Sequence, residues 1–432
     1  MVRPFARHAA WILCAAMAGC TSSMVPVNST TARGPNAPSA LHRGFQVLYR
    51  FHLRDGNFPE AGLIALNGTL YGTTISGGNY GMGTIYAVTG SQVVERVIYS
   101  FPGYHFHGGA APAAPLLAID GALFGTTYGG GNWRARNGRR IGHIREYGTV
   151  FKFVPPGSNG AEYLHLFEPK AGSNPDAGLV EAHGKLYGTA SIGGSHAQGG
   201  VVYELSLTGS HYRVVHRFEG SGDGSGPQAG LLEYKGAFYG TTQAGGTSND
   251  GTVYKLVRSG GEYRESIVYS FAGGDDGAGP VAALTEMGGA LYGTTVTGGG
   301  STCSNYGVGC GTVFKLAPTA SGFTESVIHR FGGSPDGGSP FAGLTVLHGN
   351  LYGTTNAGGN RGCLTYEGCG TIFEVAPAGS GYSERILHRF DATDGYRPSA
   401  GLTLMNGILY GAAAAGGGGT SCNCGDVFSI EP

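Results

Sequence analysis

The chain has 432 residues, with 83 Gly and 20 Pro alongside 24 Tyr, 20 Phe and 2 Trp. Charged residues make up 13% and the formal net charge is −1, which excludes a generally basic nucleic-acid binder and an acidic solvating tail. So much Gly also argues against a helical bundle, because each helix-interior Gly costs about 1 kcal/mol. A Gly-rich, aromatic-rich all-β protein remains.

Residues 1–19 read as a secretory signal. Arg3, Arg7 and His8 precede an apolar run from Ala9 to Ala18 that is too short to cross a bilayer, which needs roughly 20 apolar residues. The run ends in Met17-Ala18-Gly19-Cys20, which resembles a bacterial lipobox, with Cys20 as the lipidated new N-terminus. An ordinary cleaved signal with an incidental Cys is the alternative. Residues 20–44 are rich in Ser, Thr, Pro and Asn and suit a flexible tether. A lipidated Cys needs no transmembrane helix. Thr21 follows the Cys where Asp, in bacterial lipoproteins, implies inner-membrane retention. The expectation is an exported protein, lipid-anchored to the bacterial cell envelope at the outer membrane.

From Phe45 to Pro432 the chain repeats itself. A Tyr-Gly-Thr-Thr-like element begins at Tyr71, Phe124, Tyr187, Tyr239, Tyr292, Tyr352 and Tyr410. A Gly-Thr-Val-Phe-like element begins at Gly83, Gly148, Gly200, Gly251, Gly311, Gly370 and Gly425. A third element ends at Phe51, Phe101, Phe167, Phe218, Phe271, Phe331 and Phe390. Such periods in a strand-rich chain mean propeller blades or a solenoid.

One unit predicts four strands: 344–347, 351–355 after a Gly-containing turn, 370–375, and 385–390 after Ala378-Gly379-Ser380-Gly381. The Gly inside Tyr-Gly-Thr-Thr predicts a slot for an aromatic ring of the neighbouring blade. Phe45–Phe51 reads as a fourth strand with no blade before it, and Gly425–Ile430 as a third strand with none after it. Pairing them closes a ring and removes a sheet edge, whereas a solenoid would need polar capping repeats. The expected fold is all-β: a seven-bladed β-propeller of four-stranded antiparallel blades, the last closed by the N-terminal strand.

The unit Leu351-Tyr352-Gly353-Thr354-Thr355 … Gly358-Gly359 … Gly368-Cys369-Gly370-Thr371-Ile372-Phe373 resembles the Gloeo-Verruco (GloVer) tandem repeat of exported bacterial proteins with varied anchors. The resemblance implies export and surface attachment. It carries no catalytic residues with it.

Six Cys fall in loops between second and third strands of the last three units: Cys303 and Cys310, Cys363 and Cys369, Cys422 and Cys424. Local pairs in an exported protein read as disulfides. Zinc is a poor reading, with two Cys per loop and no spaced His. Cys422 and Cys424 would close a very small ring, and their pairing stays open.

The loop before each new unit carries an Asp-Gly-x-x-Pro pattern, with Asp55, Asp223, Asp276, Asp336 and Asp394 in five of seven. A ring of carboxylates for Ca²⁺ or sugar hydroxyls is one reading. Asp closing a turn that Pro stiffens is the other, and repetition in most blades favours it.

Unit two breaks the pattern twice. Its loop reads Tyr104-His105-Phe106-His107, and its longest insertion contains Trp133, Arg134, Arg136, Arg139, Arg140, His143 and Arg145. In a four-stranded blade both loops open on one face. Tyr104 and Trp133 are suited to stack on a sugar or aromatic ring, and the Arg group to pair with carboxylate or phosphate. His105, His107 and His143 offer acid/base groups or metal ligands. A solvated basic loop without a ligand is the plain alternative.

No nucleophile elbow, P-loop, His-Glu-x-x-His or dinucleotide fingerprint is present. The expected function is non-catalytic binding of an extracellular glycan or protein by a monomeric propeller, with no cofactor, no metal and no nucleic acid. The alternatives are a propeller enzyme acting on acidic polysaccharide, and a purely structural envelope component.

Overall fold

In the computed structural model, residues 44–432 are described except 90–93, 104–107, 132–146, 157–159, 195–198, 221, 301–308, 364–367 and 418–421. Phe45–Pro432 forms one compact unit of seven four-stranded antiparallel sheets. It is a seven-bladed β-propeller. Blades one to six occupy residues 64–100, 117–166, 180–217, 232–270, 285–330 and 345–389. Blade seven combines Thr403–Met405, Ile408–Ala413 and Asp426–Ile430 with Phe45–Arg50 from the N-terminal side. The expected closure is therefore observed, running from Phe45 opposite Ile430 to Arg50 opposite Asp426.

Blade six shows why each strand forms. The inner strand Thr345–Leu347 and second strand Asn350–Thr355 flank His348 and Gly349, both at positive φ, the conformation a two-residue hairpin turn requires. The third strand Thr371–Ala378 is buried along its first five residues, which is why it reads as an apolar run. The outer strand Gly381–Arg389 starts four residues before the apolar run that marked it. Its first half alternates between exposed and half-buried residues, so hydrophobicity alone does not reveal it. All seven blades carry a register shift between third and outer strands, adding the local twist a propeller needs.

The core lies between blades. Each outer strand ends in a fully buried Phe whose ring meets, edge-to-face, the third-strand aromatic of the next blade. The pairs are Phe51–Tyr86, Phe101–Phe151, Phe167–Tyr203, Phe218–Tyr254, Phe271–Phe314, Phe331–Phe373 and Phe390–Phe428, with centroids 4.9–5.2 Å apart. This geometry suits the ring quadrupoles, and the last pair carries the circle through the closure strand.

The slot above Gly of Tyr-Gly-Thr-Thr is filled differently from the expectation. The ring in it belongs to the same blade: Gly353 lies opposite Phe373 across the ladder, and a Cβ there would stand 2.5 Å from the ring's Cζ. The neighbouring blade's Phe331 meets that ring edge-on. A cross-strand partner is fixed by register, so the blade's own aromatic takes the slot.

Two further repeats tie blades together. The first Thr of the motif donates from Oγ1 to a carbonyl entering the next blade, as Thr354 does to Ala400 at 3.0 Å. Thr73, Thr126, Thr189, Thr241 and Thr294 do the same. The Gly that opens each third strand leaves room for the Pro of the following blade: a Cβ at Gly370, at φ +94°, would stand 2.6 Å from Pro398 Cδ.

Among the described Cys, Cys363–Cys369 and Cys422–Cys424 are disulfide-bonded. Cys310 is disulfide-bonded as well, and Cys303 lies outside the described residues.

Candidate functional site

The linking loop that enters each blade and the loop between that blade's second and third strands are bridged by backbone pairing. The bridges are Asn57–Ser76, Gly109–Gly130, Ser173–Ile192, Ser225–Ala244, Ala278–Thr297, Gly338–Ala357 and Tyr396–Ala415. Both loop sets therefore open on one face of the ring, as the sequence predicts. Each linking loop is also bonded to the preceding blade, as where Ser339 N donates to Cys310 O and Arg397 N to Cys369 O. The face is a continuous, blade-crossing backbone network.

At its axial edge every linking loop narrows to a Pro that is buried in all seven blades. The residue before it has positive φ in every case: Phe58, Ala111, Asn174, Gly226, Gly279, Ser339 and Arg397. Five of these are not Gly, and non-Gly residues held there cost about 1–3 kcal/mol of strain and cluster at functional sites. The residue after the Pro also differs from blade to blade: Glu60, Ala113, Asp176, Gln228, Val281, Phe341 and Ser399. Two residues further on, the chains line the axis. A Cβ at Gly62 would stand 3.3 Å from Gly401 O, one at Gly343 3.1 Å from Ala283 O, and one at Gly230 3.2 Å from Gly178 O. Chains this close leave room only for small side chains, so chemistry at the axis belongs to the variable residues at its mouth.

Those residues are polar on one arc. Asp176 of blade three is pushed up to about 7 by burial, and its Oδ1 has no hydrogen-bond partner among the described residues. Burial likewise raises Glu60 of blade one, against the opposing charge of Arg397. The linking loop of blade two lies between these two, and blade two carries the irregular segments. Elsewhere around the mouth, Gln228 donates to Gln243 at 3.3 Å and Asn356 to Ser399 at 2.6 Å.

The Asp of the repeated loop has a structural task. Its carboxylate accepts a backbone N–H just past the outer strand in every blade that carries it. The donors are His52 for Asp55, Glu219 for Asp223, Ala272 for Asp276, Gly332 for Asp336 and Asp391 for Asp394, at 2.6–3.0 Å. The turn-closing reading holds at all five.

The model of the Gloeobacter/Verrucomicrobia repeat matches residues 38–195, 135–366 and 300–432. The chain belongs to this family. No curated protein matches it by sequence. Among solved structures, the Gloeobacter/Verrucomicrobia repeat chain is similar to an ancestral GH74 enzyme at 9% identity and a TM-score of 0.55, covering 88% of this chain and 48% of that one. A candidate 6-phosphogluconolactonase from Bacteroides uniformis has 12% identity and a TM-score of 0.48 over 80% and 88% of the two chains. The N-terminal domain of Nup159 has 8% identity and 0.46 over 90% and 95%. At these identities the likeness is one of fold.

Tyr104, His105, His107, Trp133, Arg134, Arg136, Arg139, Arg140, His143 and Arg145 lie outside the described residues of this repeat chain, as does Cys20. Their flanks are described: Gly109 and Ala110 pair with Gly130 and Gly129 as a two-stranded sheet at blade two. Sequence reasoning missed Glu60, Asp176 and Arg397. The available signal was the repeated Pro itself: the residue after it changes in every unit while Pro and the Ala two residues later repeat.

Proposed function

We propose that the chain is an exported, lipid-anchored propeller that binds an extracellular glycan or protein through the face carrying the linking loops. The carrying observation is the bridging of both loop sets on one face, with the described ends of the two irregular blade-two segments paired there through Gly109–Gly130 and Ala110–Gly129. The arc from Glu60 to Asp176, with the segments of blade two rooted between them, is the proposed centre. Polar side chains on a rigid, strained rim suit a ligand recognised by several directed hydrogen bonds. In this reading Cys20 carries the lipid anchor, residues 21–44 are the tether, and attachment is at the outer membrane.

A glycan array probed with the full chain is expected to give hits that weaken at least tenfold in Asp176→Asn and disappear on deletion of residues 132–146. Binding that survives both changes removes this face from the reading, and self-association without ligand binding favours a structural envelope component. Labelling of Cys20 by fatty acid, lost in Cys20→Ser, tests the anchor.

A second reading rests on Asp176. A buried carboxyl pushed up to about 7 is suited to general acid or base chemistry, and Arg397 is suited to hold a uronate carboxylate. Turnover of an acidic polysaccharide by the full chain, abolished in Asp176→Asn with binding retained, would favour an enzyme.

A further inference from the structure

Beyond the face-binding reading, the junctions between neighbouring outer strands carry chemistry of their own. At each junction the residue two before the buried Phe can meet three groups: the ring itself, the Asp of the linking loop, and the residue six before the Phe of the next blade. Most junctions lack at least one of His, Asp and Glu at these positions. Between blades six and seven, His388 Nε2 lies 2.9 Å from Asp394 Oδ2 and the imidazole stacks on Phe45 at 3.7 Å. Between blades four and five, the Tyr269 hydroxyl donates to Asp276 at 2.8 Å. Between blades two and three, His165 stacks on Tyr212 at 3.7 Å; its Nε2 is buried without a hydrogen-bond partner among the described residues, but that linking loop carries no Asp at the repeated position and Tyr212 stands where a Glu would be.

Two junctions hold His, Asp and Glu together and do not close. Between blades five and six, His329 Nε2 stands 3.6 Å from Asp336 Oδ2, beyond hydrogen-bond reach. Asp336 Oδ2 already accepts Gly332 N–H at 2.7 Å. His329 Nε2, Asp336 Oδ1 and Glu384 Oε1 are all buried atoms with no hydrogen-bond partner among the described residues. One ligand atom from each of the three residues lies within 4.8 Å of the other two. The junction of blades three and four carries the same residue types, with His216 Nε2 3.4 Å from Asp223 Oδ2 and both His216 Nε2 and Glu265 Oε1 buried without a partner among the described residues, but only the blade five–six set brings three ligand atoms this close together.

We propose that His329, Asp336 and Glu384 bind a divalent transition-metal cation of the Zn²⁺ class. A neutral imidazole with two carboxylates carries a charge of −2, which a divalent ion cancels. One nitrogen and two carboxylate oxygens suit Zn²⁺, whereas Ca²⁺ asks for an all-oxygen shell. Bonds of about 2.1 Å put tetrahedral ligand atoms about 3.4 Å apart, close to the observed His–Asp separation. The other cation facing Glu384 is Arg389, and its Nε is engaged by Pro335 O at 2.8 Å. Bound metal would pin the outer strands of adjacent blades at the rim, where no strand pairing crosses between sheets.

The test is calorimetric titration of Zn²⁺ into the tag-free full chain after dialysis against EDTA, with melting midpoints recorded in EDTA and in Zn²⁺. Saturable binding is expected, accompanied by a rise in midpoint. Glu384→Gln and His329→Gln should each weaken the blade five–six site at least about tenfold while melting like the parent in EDTA. Absence of saturable binding, or isotherms unchanged in Glu384→Gln and His329→Gln, overturns the proposal.

Discussion

Phe373→Ala is expected to destabilise the propeller by about 3–5 kcal/mol and to lower its unfolding midpoint in urea without changing the activity of any folded fraction. Phe373 is fully buried and joins two sets of contacts. Within blade six its ring covers Gly353, where an added Cβ would collide with it. Across the blade boundary it receives the edge of Phe331, with centroids 5.1 Å apart. Removing the ring leaves a cavity bordered by two blades, and a closed ring cannot collapse onto it without shifting every sector. Gly353→Ala, which keeps Phe373, is expected to destabilise by overpacking, about 1–3 kcal/mol. Because the two changes act on one contact, their effects should not add in the double mutant. Additive urea midpoints would show that the slot is not the shared element described here.

That slot also marks how far the sequence reaches. Blade number, strand order and closure were legible, because a repeat read seven times averages out local ambiguity and the two unmatched terminal strands complete one blade. The aromatic–Gly contact was legible as well, but its donor was not: a motif states that a ring needs space without stating which strand delivers it, and only the Gly353–Phe373 register decides. The loop face followed from strand order alone. The polar arc at its mouth did not. Glu60, Asp176 and Arg397 sit in loops of ordinary length, whereas attention goes first to the long basic insertion of blade two. Burial at the mouth raises Asp176 and Glu60, and burial of a loop residue is a property of the closed ring that no single unit carries. The His–Asp–Glu sets were hidden for the same reason, since His329 belongs to the unit before the one that holds Asp336 and Glu384.

The second large effect concerns Asp426, the one place where the closure blade departs from a buried pair. In five blades the second Thr of the motif bonds the first Thr of the third strand, as Thr355 does with Thr371 at 2.8 Å. The other four pairs are Thr74–Thr84, Thr127–Thr149, Thr242–Thr252 and Thr295–Thr312. Blade seven places Ala413 and Asp426 there. Asp426 is fully buried, and neither carboxyl oxygen has a hydrogen-bond partner among the described residues. Burial pushes its carboxyl well above the usual carboxylate range, Asp394 adds to the rise, and Arg50 opposes it. A carboxyl held neutral in the fold ionises more readily when unfolded. Its contribution to stability is therefore full below the unfolded value of about 3.9 and is lost as the pH rises towards its folded value. Ala413→Thr/Asp426→Thr rebuilds the pair found in the other blades and removes the unbonded acid, whose burial costs about 1–3 kcal/mol. The double variant is expected to melt higher than the parent at pH 7, and the gap should narrow towards pH 4 as the parent's Asp426 becomes neutral in both states. The raised carboxyls of Asp176, Glu265 and Glu325 slope the same way in both proteins and cancel in the difference. A gap that stays constant from pH 4 to pH 7 would show that Asp426 already has a partner that keeps it charged in the closure blade.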